Sequence, residues 1–362
     1  MTSADRSLAQ NGMRHAPPDA TRAGAGGGAL RILRAVAVAL VLGVAGLVAG
    51  LRATDRFLDD AALRGDNTLR LAVATLQGQL DRFERLPQLL ADDPLVQELA
   101  ASPRDPALVA ATNDHLKDIG ARLGASDVYL MDRSGTTIAA SNHDTATSFV
   151  GGNFAFRPYF FDAVAHGEGR FFALGTTSLK RGYYFGAPVR LDTEIAGVMT
   201  FKVDLDAIEE AWRGSDYEII VTDPEGIVFM SSEPDWLFSR VQPLTAAQQA
   251  RLDATRRYAN AQLRDLAVRG RHARGAHNLL TIATHAGAPA PQGRDVTREF
   301  LKISEPMPEA EWTVSVLLDT ASARRQALTL AAAVVLALGL GSLGVAVVMQ
   351  RRTRLAERLQ MQ

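Results

Sequence analysis

No cysteine occurs in the 362 residues, which excludes disulfides, thiol nucleophiles and Cys-ligated metals at once. The absence does not decide a compartment, because many domains outside the cytoplasm also lack disulfides. A surplus of charge is missing too, since 39 Lys and Arg stand against 40 Asp and Glu. So balanced a chain gives no electrostatic reason to expect a nucleic-acid partner, and none is expected. Between residues 52 and 325 there is no carboxylate pair set for acid–base work, no nucleophile beside a base and no phosphate-cradling glycine loop. No catalytic site is therefore assigned there. The seven histidines are scattered. His272 and His277 come near each other, but no third ligand has fitting spacing, so no metal is assigned.

What the chain does have begins with two long apolar runs. Ala35 to Leu51 is uncharged between Arg34 and Arg52, and Ala327 to Met349 is uncharged between Arg325 and Arg351. A spanning helix needs about 20 apolar residues. The second run reaches that length, and the first does so with Ile32 and Leu33. We assign transmembrane helices to residues 31–52 and 326–350. The first run exceeds the usual apolar core of a cleaved signal peptide, roughly 7 to 15 residues. Arg22, Arg31 and Arg34 precede the first span, and Arg351, Arg352, Arg354 and Arg358 follow the second. This bias predicts cytoplasmic termini and an external, periplasmic segment over about 52–325 in a bacterial inner membrane, although Arg324 and Arg325 dissent.

Residues 1–30 lack apolar periodicity and end in a glycine run, so a disordered cytoplasmic tail is expected. Within 53–125, Leu69, Val73, Leu76, Leu80 and Phe83 recur at steps of four and three, the spacing of one helical face. Such a seam serves equally as a domain's own core stripe or as a coiled-coil dimer face. Pro87 and Pro94 break the helix. Then DVYLMDRSGTTIAAS reads as a hairpin of strands 128–131 and 136–140, with Gly135 in the turn. A short helix over 157–165 and strands at 169–174, 182–189 and 195–203 follow. This order predicts a PAS-like module over 126–206. YEIIVTDPEGIVFMSS repeats the hairpin, and strands at 278–284, 298–304 and 312–318 complete a second module over 207–322, with a polar helical stretch across 245–270. The fold class is α+β: a long N-terminal helix carrying two PAS-like antiparallel-sheet modules between two membrane spans. Residues 351–362 read as the start of a cytoplasmic signalling helix.

One stretch, Gly151 to Asp204, concentrates the groups suited to a small dianion. Arg157 offers a planar fork for a carboxylate, Thr176, Thr177 and Ser178 offer short neutral donors, and Lys202 offers a compact second cation. A four-carbon dicarboxylate would satisfy that set. Each group also has a plainer role: Arg157 in an interdomain salt bridge, Lys202 pointing to solvent from an alternating strand, and the hydroxyl trio as a polar turn after Gly175.

In this stretch, NFAFRPYF, FFALGTTSLKRGYYFGAPV and FKVDLDAIEEAW, followed by VTDPEGIVFMSS and EPDWLF, resemble the sensor region of the four-carbon-dicarboxylate sensor histidine kinases of the DctB type. The resemblance implies a membrane-distal module that binds succinate, fumarate or malate, a membrane-proximal module, and a homodimer. It implies Arg157 and Lys202 on the carboxylates, Thr176, Thr177 and Ser178 donating hydrogen bonds, and Phe154, Tyr159 and Tyr184 as walls. It also implies a kinase that uses ATP and Mg and passes phosphate from His to a response regulator. No such core follows residue 362 in this sequence, so the chain itself is expected to need no cofactor. Two other readings stay open. One is a receptor for amino acids or other small molecules attached to a chemoreceptor or cyclase, and the other is a membrane-anchored scaffold without ligand.

Overall fold

The computed structural model of the chain describes residues 25–215, 217–259, 261–285 and 295–360. Of the disordered tail expected over 1–30, residues up to 24 lie outside them. The rest of the expectation is corrected: 25–30 are helical, because the helix of the first apolar run extends back through the glycines as its opening turns. The described residues form two compact units, one from the segment up to Asp55 with that from Arg325, the other from Arg56–Arg324.

In the first unit both apolar runs are helical, in the opening part of α1 (Ala25–Glu84) and in α8 (Thr320–Gln360). Each helix is long and apolar enough to cross a membrane. Their large side chains, such as Leu40, Leu47, Leu336 and Leu343, are exposed, as lipid-facing residues would be. A Cβ at Gly46 would come within 2.5 Å of Val335 Cγ2, so the missing side chain there lets the two helices approach.

In the second unit, α1 continues to Glu84 and ends just before Pro87. The chain goes on through α2 (Leu86–Ala91), α3 (Pro94–Ala101) and α4 (Pro106–Leu123). A five-stranded antiparallel sheet follows, with β1 (Asp127–Asp132), β2 (Thr137–Ala140), β3 (Gly169–Leu174), β4 (Arg181–Leu191) and β5 (Glu194–Val203) in the order β2-β1-β5-β4-β3. Helix α5 (Pro158–His166) lies between β2 and β3 in sequence. The period-2 alternation of strands gives this sheet two apolar faces. Val128, Leu130, Phe172, Tyr183, Phe185 and Phe201 belong to the core shared with the N-terminal helices. Tyr129, Met131, Phe171, Ala173, Tyr184 and Val198 belong to a separate aromatic core with α5.

The structure resolves the ambiguity of the α1 seam. Leu69, Val73, Leu76, Leu80 and Phe83 are buried in the chain's own core, together with side chains of both sheets. The large apolar residues left exposed on this part of α1, Leu63 and Leu71, lie off that stripe.

After α6 (Asp206–Trp212) comes the second sheet, with β6 (Glu218–Thr222), β7 (Ile227–Ser231), β8 (Ser239–Arg240), β9 (Arg264–Asp265), β10 (Val268–Arg274), β11 (His277–His285), β12 (Asp295–Met307) and β13 (Trp312–Asp319). Its order is β10-β11-β12-β13-β6-β7-β8-β9. The expectation of a helical stretch across 245–270 is corrected here. Only α7 (Ala246–Thr255) is helical, started by a capping box at Thr245, and β9 and β10 follow. β10, at the sheet's end, is largely exposed, and its polar, Arg-rich sequence fits such an edge strand without the alternating hydrophobicity that announces a half-buried one.

Candidate functional site

Strand register assembles the site. Asp127 pairs with Lys202, Tyr129 with Thr200, and Tyr184 with Lys202 across β1, β5 and β4, so these side chains share one face of the first sheet. Helix α5 closes over that face. Its N-terminus is fixed by Pro158 after the extended residue Arg157, where a missing N–H costs nothing. The helix start sits so close to β3 and β4 that a Cβ at Gly169 or Gly186 would collide with the Tyr159 carbonyl oxygen. Glycine at these positions is what allows Tyr159 onto the sheet.

The two cations expected to meet a ligand are both buried, Arg157 at 2% exposure and Lys202 at 1%. The Arg157 guanidinium donates from Nη1 to the carbonyl oxygens of Thr255 (3.1 Å) and Arg256 (2.9 Å), and from Nη2 to that of Leu174 (3.1 Å). Its carbon lies 5.1 Å from the centre of the Phe156 ring. Among the described residues no carboxylate pairs with it, and burial lowers its pKa below the usual arginine value. The expected interdomain contact is therefore present, but with backbone carbonyls in place of a salt bridge. Lys202 Nζ donates to Asp127 Oδ2 at 3.2 Å and to Ser178 Oγ at 3.1 Å, and lies 5.8 Å from the Phe149 ring centre. Alternation does not point it at solvent.

Aromatic side chains form the core on this face of the sheet. Tyr159 and Tyr184 stack at 4.9 Å with 12° between planes, and Tyr129 meets Tyr159 and Phe149 edge-on. Phe154 packs against Tyr129 and Phe149. Burial raises the pKa of all three tyrosines, that of Tyr159 to about 12, with Arg157 pulling the other way. The phenols therefore stay protonated and able to donate at physiological pH. In the unfolded chain they would ionise near pH 10. The stabilisation from keeping them neutral is thus complete below about pH 10 and falls as pH rises toward the folded value. We expect thermal stability to drop above pH 10, and less steeply in Tyr159→Phe. Melting curves between pH 8 and 11.5 measure this, and an unchanged slope in the variant contradicts the assignment.

Of the hydroxyl trio, Ser178 is half-buried and bonded to Lys202, Thr176 is half-buried, and Thr177 is exposed. Residues 175–180 form a tight loop, closed by Gly175 N to Lys180 O (2.9 Å) and Leu179 N to Gly175 O (3.1 Å). Tyr184 belongs to the site, whereas Tyr183 faces the opposite core. Asp127, Tyr129 and Phe149 were not among the residues singled out from the sequence. Asp127 and Tyr129 are placed by pairing of β1 with β5 more than 70 residues on, with the alternation in DVYLMD as the only local sign, and Phe149 comes to the site from the loop between β2 and α5. Thr200, on the same face, is fully buried with an unpartnered hydroxyl.

Comparison with known proteins gives a consistent picture. No protein-family model matches the chain. The C4-dicarboxylate transport sensor protein DctB of Pseudomonas aeruginosa is 44% identical over 198 residues, covering 55% of this chain and 32% of that protein. The protein of the same name from Rhizobium meliloti is 34% identical over 306 residues, covering 82% and 48%. The chain thus spans half or less of the length of the curated relatives it matches. Among solved structures, the sensor domain of the histidine kinase DctB from V. cholerae superposes with a TM-score of 0.64 at 31% identity, covering 73% of this chain and 98% of that domain.

Proposed function

Because the chain belongs to the DctB family of sensor proteins, we propose that its two-sheet unit is the receptor for a four-carbon dicarboxylate such as succinate, fumarate or malate. The observation that carries the reading is Arg157, a buried guanidinium without a carboxylate partner among the described residues. A buried charge in that state favours an anion that supplies the missing pairing. Three of its five N–H groups are committed to carbonyls, leaving Nε–H and one Nη2–H, a set able to hold a carboxylate side-on.

The second carboxylate would meet Lys202. There it competes with Asp127 for the ammonium, while Ser178 and the protonated phenols of Tyr129, Tyr159 and Tyr184 provide neutral donors and walls. Phe154 closes the aromatic side, and Thr176 and Thr177 lie on the loop at the rim. Only a molecule whose two charged ends span from Arg157 to Lys202 satisfies both cations, which makes length the basis of selection.

In this reading the two apolar helices span the membrane, residues of about 52–325 lie in the periplasm, and the protein works as a homodimer. Ligand binding shifts the dimer between two arrangements. The kinase reaction, ATP with Mg, and a response regulator belong to the signalling protein as a whole. An amino-acid receptor is the one alternative with an observation behind it, since Asp127 offers a carboxylate to an ammonium. That carboxylate already holds Lys202, which leaves it poorly placed for the role.

Calorimetry on the full chain in nanodiscs tests the proposal. Saturable binding of succinate, fumarate or malate, with no response to glutarate or to neutral amino acids, is the expected result. A folded sample that ignores all three diacids at millimolar concentration defeats it.

A further inference from the structure

Resting on the reading that Arg157 grips a carboxylate, we infer that the turn at 255–258 in the second sheet's segment of the chain positions Arg157, and that Arg257 is the residue that holds this turn. The binding site in the first module is in this sense completed by the second.

The turn touches the site at three points. Both Nη1 bonds of Arg157 end on it, at the Thr255 and Arg256 carbonyls. Leu174 N donates to Arg257 O at 2.8 Å, while Leu174 O accepts from Arg157 Nη2. Leu174 ends β3 and leads directly into the 175–180 loop whose Ser178 contacts Lys202. The Phe156 ring lies near the guanidinium carbons of Arg157 (5.1 Å) and Arg256 (4.7 Å). One short turn thus sets the position of one cation and of the loop that reaches the other.

The carbonyls can serve because they sit at the end of α7. Among the described residues Thr255 O has no backbone donor outside the helix, and Arg256 O accepts from Ala259 N (3.0 Å) on one lone pair and from Arg157 on the other. The last carbonyls of a helix have no intrahelical partner and carry partial negative charge, which suits a guanidinium. Arg256 takes the left-handed conformation (φ 46°) that ends the helix.

What keeps the turn in place is a buried charge cluster in the second module. Arg257 Nη1 donates to Asp223 Oδ2 (3.2 Å) and Glu225 Oε2 (3.1 Å), and the Tyr258 hydroxyl donates to Asp223 Oδ2 (2.8 Å). Asp223 also accepts from Ile227 N at 2.8 Å, which ties the cluster to the β6–β7 turn. The Arg257 guanidinium covers Phe171 of β3 at 4.8 Å. Loss of Arg257 frees the turn and lets Arg157 leave its side-on alignment. By linkage, a ligand that pulls on Arg157 is felt in the second module through the same bonds.

A second tie between the modules provides the control. Arg181 of β4 pairs with Glu209, which also accepts from Ser231 N at 3.0 Å, and neither bond involves Arg157. The experiment compares Arg257→Met, Tyr258→Phe and Glu209→Gln in the full chain in nanodiscs, with succinate as the probe. It reads the dissociation constant, the melting temperature and the 15Nε resonance of Arg157, assigned by its loss in Arg157→Lys. Arg257→Met is expected to weaken succinate about tenfold or more and to shift the Arg157 resonance, Tyr258→Phe to do both to a smaller extent, and Glu209→Gln to lower the melting temperature with neither effect. An unmoved Arg157 resonance in folded Arg257→Met overturns the inference, as does a loss of affinity that follows the loss of stability equally in all three variants. If the wild-type chain binds no succinate, the dicarboxylate reading fails, and the resonance still decides whether the turn positions Arg157.

Discussion

Lys202→Met should weaken dicarboxylate binding by about 100-fold, because it removes a charge-assisted hydrogen bond worth about 1.5–3 kcal/mol at a desolvated position. The substitution suits the space. The lysine stem runs over Gly182, where a Cβ would come within 2.7 Å of Cε, and methionine has an unbranched, flexible side chain for the same channel. The complication is Asp127, which would lose its partner while only 13% exposed. Removing one member of a buried pair can cost about 3–5 kcal/mol of stability. Asp127→Asn together with Lys202→Met takes away both charges and should recover most of the stability, but none of the binding. Calorimetry beside thermal melts separates the two effects. Wild-type affinity in the folded double variant would mean that Lys202 holds only Asp127 and takes no part in recognition.

A large loss of stability, with no charge involved, is expected at Leu76→Ala. Leu76 is fully buried on α1, in a core that also contains Phe201 of the first sheet and Val316 of the second. A leucine cavity at such a site costs about 2–5 kcal/mol, depending on how far the surroundings collapse into it. The same experiment distinguishes the two roles a four-three seam can play. For a stripe buried within one chain, the loss is independent of protein concentration. For a seam between two chains, the melting temperature of the variant would depend on concentration more steeply than that of the wild type. Denaturant unfolding at two protein concentrations a hundredfold apart measures this. A purely concentration-driven effect would contradict the burial of Leu76 within the chain's own core.

Much of the fold was legible because its signals are local. Apolar run length, the 3.6-residue period of α1, the Asp-Arg-Ser-Gly and Asp-Pro-Glu-Gly turns and the alternation of the longer strands each depend on a few neighbouring residues. β10 was missed for the same reason, since an edge strand with solvent on much of its surface carries little alternation to read. Arg157 and Lys202 stand out as chemistry: a cation in an aromatic-rich stretch or in an otherwise apolar strand is costly unless paired, so its presence asks for a partner.

The sequence by itself determined most of the elements, the edge strands after α7 excepted, that two stretches are apolar enough for a membrane, and which residue types are available to an acid. Only the tertiary structure decided what those residues touch. Strand register brought Asp127 to Lys202 and Tyr129 to their shared face, and chain folding brought carbonyls 98 and 99 residues away to Arg157. It also decided that the α1 stripe is buried within its own chain. The physical reason is that period and turn chemistry are set by adjacent covalent bonds, whereas pairing partners are chosen by which distant surfaces bury the most apolar area while leaving the fewest polar groups unsatisfied.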